Sequence, residues 1–157
     1  MPKVESLNLN FQIESGTDPF VIGDVNNLIF CFLTVSHGDD GNLHDSGLAV
    51  FRTKSSLLYK HGYPNDEAIS CSALIEHGFD GYSISKVIDS DWIQEISNKN
   101  DKKWRSSDYF SHFSHWVFPF KETTLEIIAM DLDWYLTDKS YSQVQSEMLA
   151  WIYQNQC

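Results

Sequence analysis

Residues 4–13, VESLNLNFQI, set Leu7, Leu9, Phe11 and Ile13 against polar neighbours, the two-residue period of a strand with one buried face. NNLIFCFLTVS (26–36) and SGLAVFRT (46–53) are dense in aromatic and β-branched residues, with Gly, Asp and Asn between them, and predict a long-looped hairpin. In GYSISKVID (81–89), Tyr82, Ile84 and Lys86 alternate along one strand face. The pattern stops at Ser90, a residue suited to cap a helix carrying Asp91 and Glu95, with Trp92, Ile93 and Ile96 on one side. HWVFPF (115–120) and TTLEIIAMDLDW (123–134) flank Lys121-Glu122 as a second hairpin, and Pro119 points to an edge strand or a bulge because it cannot donate to a ladder.

The last segment, SYSQVQSEMLAWIYQ (140–154), has Ser140 and Gln143 at capping-box spacing and places Val144, Met148, Trp151 and Ile152 on one helical face. Together these elements predict a single α+β domain over residues 1–157. Its sheet is mainly antiparallel with hairpins, packed by two or three helices including the C-terminal amphipathic one.

Composition narrows the function classes. The 157 residues are 42% hydrophobic and contain no low-complexity tract or repeat, enough for one independent core. Acidic residues outnumber basic ones 22 to 11, a formal charge of -11 that repels phosphate backbones and anionic membrane surfaces and attracts a basic protein. Nucleic-acid and membrane partners are therefore not expected. MPKVESLNLNFQIESG lacks the apolar core of a signal peptide, and LIFCFLTV is far shorter than a membrane helix, so the expected location is the cytoplasm. Cys31, Cys71 and Cys157 are widely spaced and read as reduced thiols.

Candidate chemistry is concentrated in HGDDGNLHD (37–45), where His37, His44, Asp39, Asp40 and Asp45 could supply metal ligands. The spacing matches neither a calcium loop nor a zinc site, whereas Asp, Asn and Gly in this order suit a hairpin turn, so no metal and no cofactor is expected. His44-Asp45-Ser46 has the composition of a hydrolase triad, but adjacent residues cannot face one another as nucleophile, base and orienter. His112 and His115 would share a face if SHFSH were helical, and Asp131 and Asp133 share a strand face. NKNDKKWR (98–105) is the one basic cluster, with Trp104 and Arg105 as possible anchors for an acidic contact.

HGYPNDEA (61–68), HGFDGYSISKVIDSDWIQEI (77–96) and HWVFPFKETTLEIIA (115–129) together resemble a family of small uncharacterised bacterial proteins. The likeness runs over roughly residues 60–130 and rests on Gly62 to Ala68, on Ser90, Trp92 and Ile93, and on Thr124, Glu126 and Ala129. This chain has Ser72-Ala73, Lys103-Trp104-Arg105 and Lys121-Glu122 at three places where the family carries histidines. The resemblance implies a bacterial α+β fold and attaches no activity.

Two functional expectations follow. The first is a binding module: a small acidic cytoplasmic protein that captures a basic partner, as an immunity protein or inhibitor of a basic toxin or effector. Its contacts would be Tyr63, Asp66 and Glu67, with Asp39 and Asp40 as rim charges and Trp104 and Arg105 as a second contact. The alternative is a hydrolase or nucleotide-processing enzyme built on Asp131, Asp133 and one or more of His37, His44, His112 and His115.

Overall fold

A computed structural model describes residues 1–100 and 107–155. Among these residues eight strands form one antiparallel sheet: β1 (Lys3–Ser6), β2 (Gln12–Ile13), β3 (Phe20–Gly23), β4 (Leu28–His37), β5 (Leu43–Gly62), β6 (Ser85–Ile88), β7 (Ser114–Pro119) and β8 (Thr124–Thr137). Three helices accompany them: α1 (Asp91–Asn100), α2 (Ser107–Phe110) and α3 (Tyr141–Gln154). The α+β class, the antiparallel sheet and the C-terminal helix are as the sequence predicts.

Strand order across the sheet is β1-β6-β7-β8-β5-β4-β2, with β3 also paired to β4. β1 and β2 therefore lie at opposite edges although only residues 7–11 separate them in the chain. Six strand spacings would put flat edges about 29 Å apart, whereas the six peptide steps from Ser6 to Gln12 reach at most about 22 Å. The sheet must curl to bring its edges together, and the N-terminal segment crosses between them. Backbone bonds tie down both ends of the crossing, Leu7 N–H to Ile84 O at 2.8 Å and Glu14 N–H to Leu33 O at 3.0 Å.

The predicted single strand over 4–13 is thus two short strands joined by a crossing. Its alternation is real but has another cause: Leu7, Leu9, Phe11 and Ile13 pack onto the apolar interior of the curl. That interior is aromatic, built from Phe30, Phe32, Phe51, Phe118 and Phe120 around Leu125 and Ile127. Phe51 stacks on Phe30 at 5.3 Å and meets Phe118 edge-on at 5.0 Å, geometries favoured by ring quadrupoles.

The outer face is covered in sections. Val144, Met148 and Ile152 of α3 bury against Ile29, Cys31, Leu48 and Val50. Gln143 accepts from the Ser140 N–H at 2.9 Å, the predicted closure of the helix start. Trp151 is only partly buried on this stripe, because it lies at its margin with Arg52 over its ring at 6.0 Å. Val4, Val87 and Val117 are covered by Ile69, which opens the first of two short 3-10 turns, Ile69–Cys71 and Ala73–His77, and by Phe79, which follows the second.

Three other expectations are corrected. β5 continues to Gly62, well past the predicted end at 53, through Ser55, whose φ is +52°, and a bulge between Ser56 and Leu58. β7 is an interior strand between β6 and β8 rather than an edge. Pro119 is tolerated as its last residue, where Phe120 N–H takes over and donates to Thr123 O at 2.8 Å. His112 and His115 do not share a helix face, since α2 ends at Phe110 and His115 lies in β7.

Candidate functional site

HGDDGNLHD forms the β4–β5 turn, as its composition predicts. Gly41 adopts φ +77° while Gly38 does not need the left-handed region, and Asp40 accepts from Asn42 N–H at 2.9 Å and lies 2.9 Å from His44 Nε2. Hydrogen bonds from Asn42 and His44 hold the Asp40 carboxyl down at about 2. Among the described residues no group of three His, Cys, Asp or Glu side chains is placed to hold a metal.

Asp131 and Asp133 share a face, as strand periodicity requires, but their partner is Lys54, at 3.4 and 3.2 Å. His44 is engaged with Asp40, and His115 is buried between Ser90 and Glu126. Register places the two aspartates opposite Lys54 and Arg52, and neither His44 nor His115 is among their hydrogen-bond partners.

Twenty residues of β5 separate the β4–β5 turn from the other end of the strand, where GYPNDEA follows. Asp39 and Asp40 thus lie far from Tyr63, Asp66 and Glu67, and the two groups do not form one patch. Trp104 and Arg105 lie outside the described residues.

At the GYPNDEA end the backbone is fastened rather than loose. Thr124 Oγ1 donates to Pro64 O at 2.8 Å, and Asp66 N–H donates to Lys121 O at 2.9 Å, so the turn is stapled to the β7–β8 connection. Asn65 Oδ1 accepts from Ala68 N–H at 3.2 Å and starts the 3-10 turn that buries Ile69. Stapling leaves Tyr63 79% exposed, with Asp66 and Glu67 also in solvent.

Asp66 lies at the rim of a cleft of about 500 Å³ at the mouth of the curled sheet, beside the N-terminal crossing. The apolar lining is Leu7, Leu9, Phe11, Ile13, Ile84 and Phe120; Glu14, Asp66, Tyr82 and Lys121 are among the polar positions. Tyr82 is 80% exposed because Asp80 turns the chain there, accepting from Tyr82 N–H and Ser83 N–H at 2.8 Å each. An apolar floor with Glu14 and Asp66 beside it suits an aliphatic or aromatic side chain next to a cation. The cleft was not legible in the sequence, because it exists only once the crossing brings residues 7–15 over Ile84 and Phe120.

A second constellation is assembled from residues 25 and 11 positions apart and has no local signature. His115, 3% exposed, places Nδ1 2.9 Å from Ser90 Oγ and Nε2 2.9 Å from Glu126 Oε2. Burial raises the Glu126 carboxyl, but the hydrogen bond and charge of His115, with the charge of Lys60, outweigh it and hold the group below its ordinary value. The signal that could have found this group is a histidine and a glutamate set among otherwise apolar strand residues.

Compared with known proteins, the chain matches no family model, no curated protein and no solved structure. Among the described residues no helix is long and apolar enough to cross a membrane.

Proposed function

We propose that this chain is a protein-binding module that captures a basic partner through the cleft end of the molecule, in the bacterial cytoplasm, as an immunity protein or inhibitor of a basic toxin or effector. One observation carries the reading: a stapled acidic turn presents Asp66 at the rim of a cleft of mixed polar and apolar lining, and an exposed tyrosine, Tyr63, stands three residues away. Fixing the turn in advance lowers the ordering cost of binding, and the aromatic supplies desolvated contact that charge alone does not. The formal charge of -11 adds long-range attraction to a positive surface.

Affinity capture from the native host tests this with wild-type and Tyr63→Ala/Asp66→Lys baits side by side. The expected result is a basic protein that the wild-type chain retains and the double variant releases. Recovery of no protein, or of the same proteins by both baits, would overturn the reading.

A further inference from the structure

β6 ends at Ile88 and α1 begins at Asp91, so Asp89 and Ser90 alone make the strand-to-helix turn. It is sharp enough that Asp89 takes φ +52°, a region that non-glycine residues seldom occupy. Such turns hold the next side chain in a fixed position at the start of a helix. Here that side chain is Ser90, 4% exposed, whose Oγ accepts from Ile93 N–H at 3.3 Å and meets His115 Nδ1 at 2.9 Å.

The histidine is oriented from its other side. An ionised Glu126 accepts the Nε2 proton at 2.9 Å, which selects the tautomer whose lone pair, on Nδ1, faces the serine. Trp92 packs edge-on against the ring at 5.3 Å and fixes its plane. Ser90 also lines a cavity of about 420 Å³ between β6, α1 and α2, with Val87, Ile93, Phe110 and Phe113 as apolar walls. This cavity and the cleft at the mouth of the sheet have no lining residue in common.

We propose that Ser90 is a nucleophile, His115 its base and Glu126 the carboxylate that positions His115, in a second site that hydrolyses esters of small uncharged acyl groups. In the first half-reaction, Ser90 Oγ bonds to the acyl carbon and its proton passes to His115 Nδ1. The carbon–oxygen bond to the alcohol breaks, and His115 returns the proton to the departing oxygen. Water then adds to the acyl-serine, again giving a proton to Nδ1. The acid leaves, and Ser90 recovers its proton. The Ile93 N–H, at the positive end of α1, donates to Ser90 Oγ itself and so favours negative charge on the serine oxygen as its proton leaves. Val87, Ile93, Phe110 and Phe113 share the lining with Lys86, Asp89 and Gln94, and the volume is modest, which favours a short acyl chain over a polymeric substrate.

The same contacts in a purely structural role would cap α1 and satisfy a buried histidine without any reactivity, and covalent labelling distinguishes the two. The intact chain is treated with an alkyl fluorophosphonate, the adduct is mapped by peptide mass spectrometry, and hydrolysis of p-nitrophenyl butyrate is followed in parallel. The expected result is one adduct, on Ser90, with ester turnover that is lost in Ser90→Ala. Labelling should slow about 100-fold or more in His115→Asn and by a smaller factor in the near-isosteric Glu126→Gln. Ser146→Ala, an exposed position on α3 away from the cavity, should label at the wild-type rate.

No adduct under conditions that fully label a known serine hydrolase would overturn the proposal. So would an adduct elsewhere, or labelling of Ser90 at an undiminished rate in Glu126→Gln. Circular dichroism identifies a variant that has lost its fold, and because Glu126→Gln preserves shape, the test stands even if His115→Asn does not fold.

Discussion

The rings of Phe30 and Phe118 meet edge to face with centroids 4.8 Å apart, although β8 and β5 lie between their strands. In a flat sheet residues three strands apart would be about 14 Å from each other. Their contact therefore measures the curl, and it is the same curl that lets the N-terminal segment cross from edge to edge and creates the cleft.

Phe118 is fully buried and also contacts Phe32 and Phe51. Replacing it with Ala should cost about 3–5 kcal/mol, the usual range for a buried aromatic, read as a lower urea midpoint. Because the cavity opens where β7 leans towards β4, fluorescence of the nearby tryptophans should also change in the native baseline. A midpoint within error of wild type would show that the curl is not held by this cluster.

Along α3 the structure ranks residues that the helical period alone treats alike. Met148 is 1% exposed and should cost about 2–5 kcal/mol on replacement with Ala. Trp151→Ala should cost less than the 3–5 kcal/mol of a fully buried tryptophan, because one side of its ring is at the surface beside Arg52. Equal thermal shifts for the two variants would contradict this placement.

Gly47 has φ +80°, and a Cβ there would stand 2.5 Å from Thr137 O across the β5–β8 ladder. Gly47→Ala should therefore destabilise by more than about 1 kcal/mol, combining backbone strain with a clash against unyielding main chain. Denaturant unfolding beside Gly41→Ala separates the two effects, since Gly41 also has positive φ, +77°, but nothing within 4 Å of its would-be Cβ.

These positions show what the sequence could and could not reveal. The aromatic and β-branched density of β4 and β5, the tight Lys121-Glu122 turn between β7 and β8 and the stripe of α3 are local signals, so they were readable. Pro119 misled because its rule concerns donors inside a ladder, and a strand's last residue escapes it. Residues 4–13 misled because a chain passing over an apolar core alternates as a strand does. Ser90, His115 and Glu126 carried no spacing to recognise; sheet register alone brings the latter two together, as Val117 pairs with Glu126 and Ile128 with His115.

Glu126 links this network to pH. Its carboxyl is held below the ordinary 4.5 in the folded chain, so its stabilising contribution is present above the unfolded value and is lost as pH falls through the folded one. Glu126→Gln should lower stability by about 1–2 kcal/mol at neutral pH. That difference should shrink as pH drops below 4.5, because the protonated wild type then resembles the amide. A gap between the two chains that stays constant down to strongly acid pH would show that the ionised Glu126 carboxylate contributes nothing.

The distance between the two acidic turns turns the binding proposal into a directional experiment. Asp39 and Asp40 stand at the start of the 20-residue β5 and Tyr63, Asp66 and Glu67 beyond its end. That separation greatly exceeds the screening length of about 8 Å at physiological salt. A basic partner seated at the cleft should thus sense the two groups unequally. Asp66→Lys should slow association several-fold and flatten its dependence on ionic strength, while Asp39→Lys, an identical change of net charge, should alter association far less. Tyr63→Ala should act on dissociation instead, since it removes packing rather than steering. Surface plasmon resonance of the captured partner at low and physiological salt reads all three. If Asp39→Lys slows association as much as Asp66→Lys does, attraction comes from net charge alone and the cleft end loses its claim as the contact.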